Sequence, residues 1–296
     1  MTFVEKIAPF LGISSVDQKE IQEIRIRVGR PILLMESGME KSLKRVGDSA
    51  LIKELLAVCS GHSLYAFEEE LRQGFLTVEG GHRVGVAGKM VIENGTVKTI
   101  KDISALNIRL AHECRGCAEP LMPWLYQNGE IQNTLFLSPP GGGKTTMLRD
   151  AIRQLSDGTR FGPGVSVSVV DERSEIGTCF RGVPQCDLGA RTDVMDGCPK
   201  AVGMLMMIRS MSPLVVAVDE IGTKEDLAAL REVMKCGCKI LATVHGASVE
   251  DVRSKSVLCE MAKERMFERY VVLGKRTRPG TIMGIYDEAF RSLLQT

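Results

Sequence analysis

The sequence predicts an α/β protein: a core with a parallel sheet and helices on both of its faces, preceded by a smaller α+β domain. Three observations predict it. Beyond residue 130, short apolar runs alternate with stretches of helical spacing, the pattern of strands joined by crossover helices. Before residue 115, segments with apolar residues at every second position lie between glycine-bearing turns, with a stretch of helical spacing among them. From Cys114 to Gly129 the chain holds Pro120, Pro123 and the only tryptophan, Trp124, and reads as a connection with a short helix at Leu121–Tyr126. The expected organisation is an α+β domain over residues 1–115, a linker over 116–130 and the parallel-sheet domain over 131–296, in keeping with roughly 100–200 residues per domain.

In the first region, Glu23 to Val28 alternates apolar side chains with Arg25 and Arg27, which defines a half-buried strand with both arginines on its open face. A turn at Gly29, Arg30 and Pro31 leads to a second strand at Ile32–Met35. Ser49–Cys59 has the spacing of an amphipathic helix, and a further helix is expected near Leu64–Arg72. Strands follow at Phe75–Glu79, His82–Ala87, Lys89–Ile92 and Thr96–Ile100, divided by Gly80 and Gly81, by Gly88 and by the hairpin signal Asn94 and Gly95. In the second region the expected strands are Thr134–Leu137, Val165–Val170, Leu214–Val218, Ile240–Val244 and Tyr270–Leu273. The helices between them are Lys144–Leu155, Pro199–Met211, Lys224–Met234 and Ser248–Lys255.

Composition excludes several classes. The formal charge is +1; residues 1–130 carry 16 basic and 17 acidic side chains and residues 131–296 carry 22 and 20, so neither half is a basic nucleic-acid-binding module. Nine cysteines, with no secretory leader in Met1 to Gly12, read as reduced thiols of a cytoplasmic protein. Cys114, Cys117, Cys236 and Cys238 could supply four thiolates to a zinc, but the second pair is closely spaced and has no histidine nearby; plain buried thiols are expected. No apolar run approaches the ~18 residues that span a bilayer, so membrane contact would come through partners.

The chemistry is concentrated in three stretches. Leu135 to Thr146 (LFLSPPGGGKTT) is an apolar strand that enters a glycine-rich turn and then a helix, and it reads as a nucleotide-binding P-loop. Ser138, Pro139, Pro140, Gly141, Gly142 and Gly143 would wrap the backbone so that N–H groups point at a phosphate. Lys144 would reach the β- and γ-phosphates, Thr145 would ligate Mg²⁺, and Thr146 completes the motif. Ser138 stands where the usual pattern has its first glycine.

Pro213 to Glu220 (PLVVAVDE) is a buried strand ending in two carboxylates, a Walker B strand in which Asp219 binds Mg²⁺ through water and Glu220 deprotonates the attacking water. Ile240 to Gly246 (ILATVHG) places Thr243 and His245 at the carboxyl edge of the sheet, as a sensor of hydrolysis or as plain loop residues. The acidic run Asp171 to Glu175 (DERSE) offers Asp171, Glu172 and Glu175 as water-positioning groups or as a solvated turn.

In order along the chain, SPPGGGKTT (138–146), VDERSEI (170–176), DLGARTD (187–193), MSPLVVAVDEIG (211–222) and ATVHG (242–246) resemble the stage III sporulation protein AA family over nearly the whole chain. That family is similar to the ring-forming P-loop ATPases of type II and type IV secretion and pilus machines, in which an N-terminal α+β domain precedes a RecA-like motor. The resemblance implies a Mg²⁺-dependent ATPase hydrolysing ATP to ADP and phosphate as a homo-oligomer, a hexameric ring. It also implies a place in the mother-cell cytoplasm of an endospore former, docked on membrane-bound proteins of a secretion-like channel whose assembly or transport it energises, with no nucleic acid as partner. Residues 171–175 match the acidic box of these ATPases, and Thr243 and His245 match the histidine box. In the secretion ATPases, arginines of the N-terminal domain approach the phosphates; Arg25, Arg27, Arg30, Arg83 and Arg109 are the candidates here, with Arg209 as one from the motor domain.

Two other classes compete. A RecA-like nucleic-acid translocase would show a basic groove with interleaved aromatics, whereas this chain has one tryptophan, four tyrosines and no basic half. A nucleotide-dependent assembly scaffold would have no use for a general base at Glu220.

Overall fold

The computed structural model describes residues 2–13, 21–60, 71–72, 74–93, 95–274 and 280–294. Two compact units emerge: Met1–His112 with Thr178–Gln185, and Glu113–Gly177 with Cys186–Thr296.

The first unit is an antiparallel sheet with helices on one face. Helix α1 (Phe3–Leu11) is capped by Thr2 and Glu5, which satisfy each other's backbone N–H groups, and β1 (Ile21–Arg27), β2 (Pro31–Glu36) and β3 (Met39–Val46) follow. Helix α2 (Ser49–Cys59) has the expected bounds, with Asp48 capping Leu51. Strands β4 (Phe75–Val78), β5 (His82–Glu93) and β6 (Thr96–Arg109) complete a sheet of order β3-β2-β1-β6-β5-β4. Ile24, Ile26, Leu106, Ile108 and Val84 face a core closed by Phe3, Ile7, Leu51, Ile52 and Leu55 of the two helices. The helix expected near Leu64–Arg72 lies outside the described residues apart from Leu71 and Arg72, as does Asn94 of the hairpin signal.

Two expectations change, and one strand is new. His82–Ala87 and Lys89–Ile92 are one strand, because Gly88 marks a β-bulge where the backbones come close: a Cβ there would lie 2.6 Å from the Lys101 carbonyl oxygen. The strand begun at Thr96 runs on to Arg109. Strand β3, whose residues are nearly all exposed, carries no alternation for sequence reasoning to detect. The hairpin Phe180–Val183, closed by two backbone hydrogen bonds of 2.9 and 3.0 Å, belongs to this unit: Phe180 packs against its core, and the Gly80 N–H donates to Gln185 Oε1 at 2.9 Å.

His82 accepts the Ala111 N–H at 3.0 Å through Nδ1 and packs against Phe3. Burial pushes this imidazole down to about 4, with His112 adding to the effect. The unfolded chain takes up the proton near pH 6.5, so this contribution to stability is complete above that pH and is lost as the pH falls from 6.5 towards 4. We expect a loss on the order of 2 kcal/mol, below the full shift because the ring is only partly buried. Denaturant melts from pH 7 to pH 5 should show a shallower pH dependence in His82→Asn than in the wild type; identical slopes would place the proton uptake elsewhere.

The second unit is the expected α/β sandwich. Strands β7 (Thr134–Ser138), β8 (Val167–Asp171), β9 (Thr192–Asp196), β10 (Val215–Val218), β11 (Lys239–His245), β12 (Arg269–Gly274) and β13 (Thr281–Tyr286) form one sheet of order β9-β8-β10-β11-β7-β12-β13. All neighbours are parallel except β12 and β13. Alternate residues of β7 feed opposite cores. Leu135 and Leu137 pack with side chains of α4 (Lys200–Ser210), α5 (Lys224–Lys235), α6 (Val249–Ser254) and α7 (Ser256–Lys263), while Phe136 packs with α3 (Lys144–Asp157).

Residues 116–130 fold with this unit. They form a 3₁₀ turn at Glu119–Leu121, one turn of helix at Met122–Leu125 and a two-residue hairpin, and Ala118, Leu121, Met122, Leu125 and Ile131 are buried under α3. Of the four cysteines read as buried thiols only Cys238 is buried, its Sγ donating to the Pro213 carbonyl at 3.2 Å; Cys117 is half-buried, and Cys114 and Cys236 are exposed.

Candidate active site

The strand order brings three distant stretches together. Parallel β7, β10 and β11 end on the same sheet edge, where ligands bind in open α/β sheets. Their register pairs Ser138 with His245 and Val218 with Ala242, so the glycine loop, the acid pair and the histidine leave adjacent positions.

The loop is held by its own contacts. Ser138 Oγ donates to the Pro139 carbonyl at 2.9 Å, and the Gly142 N–H donates to the same oxygen at 3.0 Å. A Cβ on residue 142 would come within 2.1 Å of Ser138 Oγ, so the serine at the loop's first position is accommodated by glycine opposite it. Gly143 caps α3 at φ +92°, a left-handed conformation that a side chain would strain. The first turn of the helix thereby opens onto a cleft of about 400 Å³ lined by Pro140, Gly141, Lys144, Thr145, Glu175, Glu220 and His245.

Within the cleft Lys144, only 7% exposed, sends Nζ to Glu220 Oε1 at 2.6 Å. His245 Nε2 lies 2.8 Å from the same oxygen and 3.3 Å from Lys144 Nζ. Arg173 Nη1 stands 3.4 Å from Glu220 Oε2. Burial pushes the Glu220 carboxyl up, but the hydrogen bond and charge of Lys144, with His245 and Arg173, outweigh it and hold the group below the usual carboxylate range. Glu220 has φ +50°, a strained backbone for a side-chain-bearing residue, costing on the order of 1–3 kcal/mol, and it aims the carboxylate back across the strand end. Thr243 supplies part of the restraint: its Oγ1 accepts the Glu220 N–H at 2.9 Å and donates to Asp219 Oδ1. Thr145 Oγ1 donates to Asp219 Oδ2 at 3.3 Å, which sets two oxygen donors of the type Mg²⁺ prefers side by side.

Some candidate residues are placed otherwise than expected. Asp171 is buried and its carboxylate accepts the N–H groups of Glu175, Ile176 and Gly177 at 2.8–2.9 Å, so it shapes the turn. Glu172 pairs with Lys200, which leaves Glu175 as the member of the acidic box on the cleft. Arg209 lies in the last turn of α4, which runs from the carboxyl edge of the sheet to its amino edge, so it ends far from its own chain's glycine loop. Arg25, Arg27, Arg83 and Arg109 share the sheet face of the first unit opposite its core, with Arg109 directly paired to both Glu23 and Arg83, and Arg30 sits in the turn after β1. Arg173 is the cleft residue that sequence reasoning missed; its signal was a guanidinium inside the acidic run.

A parallel sheet with a central glycine-loop strand, an acid pair two strands away and an N-terminal α+β unit is a fold that solved ATPase structures share. The pilus retraction motor PilT with bound ADP aligns at TM-score 0.60 and 15% identity over 92% of this chain and 78% of that one. The DotB ATPase of Legionella pneumophila aligns at TM-score 0.57 and 16% identity over 92% and 76%. The family profile described as sporulation stage III, protein AA matches residues 3–293. Stage III sporulation protein AA of Bacillus subtilis (strain 168) is 46% identical over 277 residues, covering 94% of this chain and 90% of that protein. The chain belongs to the stage III sporulation protein AA family.

Proposed function

We propose that this protein is a Mg²⁺-dependent ATPase that works as a ring, a hexamer, energising assembly of or transport through a secretion-like channel in endospore formation. The observation that carries the reading is the cluster of Lys144, Glu220 and His245 around one carboxylate oxygen at the mouth of the glycine loop. Lys144 exchanges the Glu220 carboxylate for β- and γ-phosphate oxygens, and Glu220, released from its partner, accepts a proton from water in line with the γ-phosphate. His245 holds the second position on Glu220 and signals the state of that site to β11. Thr145 and Asp219 would hold Mg²⁺, which when bound neutralises charge on the β- and γ-phosphates. Thr243 keeps Asp219 and Glu220 in place for both tasks.

The arginines of the first unit are the candidate source of further positive charge at the phosphates. Arg83 and Arg109 are paired directly across two strands, and Glu23 faces Arg109 from the other side. Arg83 is also stacked over the Phe75 ring at 4.1 Å. By the family resemblance the protein docks on membrane-bound channel proteins from the mother-cell cytoplasm; among the described residues no helix is long and apolar enough to cross a membrane.

The test is steady-state phosphate release with and without Mg²⁺, combined with light scattering on the same samples. Mg²⁺-dependent release that rises with assembly is expected. Nucleotide binding without turnover at any protein concentration would leave a nucleotide-dependent scaffold in its place.

A further inference from the structure

Cys114 and Cys117 occupy the first and fourth positions of a turn in the second unit, closed by the Cys117 N–H donating to the Cys114 carbonyl at 3.4 Å, with Gly116 at φ +81°. Such a turn keeps the two Cα atoms within about 7 Å, inside or close to the 4.4–6.8 Å that a disulfide spans. The turn is attached to the P-loop helix at two points. Cys117 Sγ donates to the Thr146 carbonyl at 3.6 Å, and the next N–H, of Ala118, donates to Asp150 Oδ2 at 2.8 Å. On the other side Arg115 bridges Glu113 at 3.0 Å and Asp187 at 2.9 Å, which fixes the turn. Cys114 is exposed and Cys117 half-buried, so a small oxidant reaches the first more readily than the second.

We propose that Cys114 and Cys117 form a reversible intramolecular disulfide that detaches the turn from the first turn of the P-loop helix and so makes nucleotide binding sensitive to the thiol poise. The oxidant is a low-molecular-weight disulfide. The Cys114 thiolate attacks one of its sulfurs, a mixed disulfide forms, and the first small thiolate leaves and takes up a proton. Cys117 then attacks Cys114 Sγ, its proton passes to solvent, and the second small thiolate leaves and is protonated. One small disulfide and two protein thiols become one protein disulfide and two small thiols.

Burial pushes the Cys117 thiol up to about 12, with Asp150 and Cys114 adding, which makes Cys114 the attacking group and Cys117 the resolving one. Once oxidised, Cys117 has no S–H to donate to Thr146, two residues beyond Lys144. Cys238, whose Sγ already donates to Pro213 from a buried position, is much less open to the same chemistry.

The coupling to nucleotide rests on the reading of the loop given above; the disulfide itself does not. Full-length protein is equilibrated in oxidised and reduced glutathione mixtures, alkylated and digested with trypsin, which cuts after Arg115 and leaves the two cysteines on separate peptides. The expected result is a linked pair joining Leu110–Arg115 to Gly116–Lys144, absent in Cys114→Ser and reversed by dithiothreitol. Amide exchange over residues 144–147 should speed up on oxidation, and ADP affinity should fall about threefold to tenfold, the worth of one lost hydrogen bond. Two free thiols throughout the glutathione range, or zinc held by the pair in stoichiometric amount, overturns the site. A linked pair with unchanged exchange at 144–147 overturns the coupling. Failure of the reduced protein to bind ADP counts against the nucleotide reading and not against the linkage.

Discussion

Glu220→Gln is expected to bind Mg-ATP as the wild type does and to hydrolyse it about 10²–10⁴-fold more slowly, the range for loss of a general base. Glutamine keeps an oxygen that can accept from Lys144 and His245, so the geometry around Lys144 Nζ, 2.6 Å from this side chain, survives the change. What disappears is the ability to take a proton. Lys144, His245 and Arg173 outweigh the effect of burial and hold the carboxyl below its usual range; on the proposed function, transfer of Lys144 to phosphate would remove the largest of these opposing influences and make Glu220 a stronger base. Rapid-quench and steady-state phosphate release on the variant, with a fluorescent ATP analogue for affinity, separate the two quantities. Near-normal release would remove Glu220 from the role of base and leave it as an anchor for Lys144.

Lys144→Ala is expected to weaken nucleotide binding by about 10²-fold or more, as truncation of one member of a buried, hydrogen-bonded charge pair costs on the order of 2–5 kcal/mol. The lysine side chain is 9% exposed and directed into the cleft beside the glycine loop, so no solvent-borne cation replaces it readily. The same substitution leaves Glu220 partly buried without its main partner. Its carboxyl should move up in the variant, and with burial then less opposed the stability gained from its ionised form is lost at higher pH than in the wild type. Titration with a fluorescent ADP analogue reads the affinity, and melts between pH 4 and 7 read the second effect. Wild-type affinity in Lys144→Ala would show that the phosphates are held by backbone N–H groups alone.

The elements that sequence reasoning recovered are those whose pattern is local. Strand β1 alternates from Glu23 onward, α2 has helical spacing and a capping aspartate, and β7 carries its glycine loop directly behind it. Two of the elements it missed have no local pattern to read. Strand β9 (Thr192–Asp196) is a polar edge whose strand character comes from pairing with β8, and β3 is exposed on nearly every residue. Helix α1 did carry a signal, Thr2 and Glu5 three residues apart ahead of an apolar run.

The candidate site divides in the same way. Asp219, Glu220 and His245 stand out as residue types where an apolar run turns polar, and Lys144 and Thr145 as the start of the helix behind the glycine loop, so their place at the carboxyl edge of the sheet was legible in the sequence. Their meeting was decided by tertiary structure: Lys144 is 76 residues from Glu220 and 101 from His245, and the crossover order that makes β7, β10 and β11 neighbours is not written in any one segment's periodicity. Tertiary structure also decided which members of the acidic run face the cleft. Asp171 is taken by three backbone N–H groups of its own turn and Glu172 by Lys200, while Arg173 turns towards Glu220, distinctions between neighbouring charged residues that depend on which donors the folded chain places within hydrogen-bonding distance.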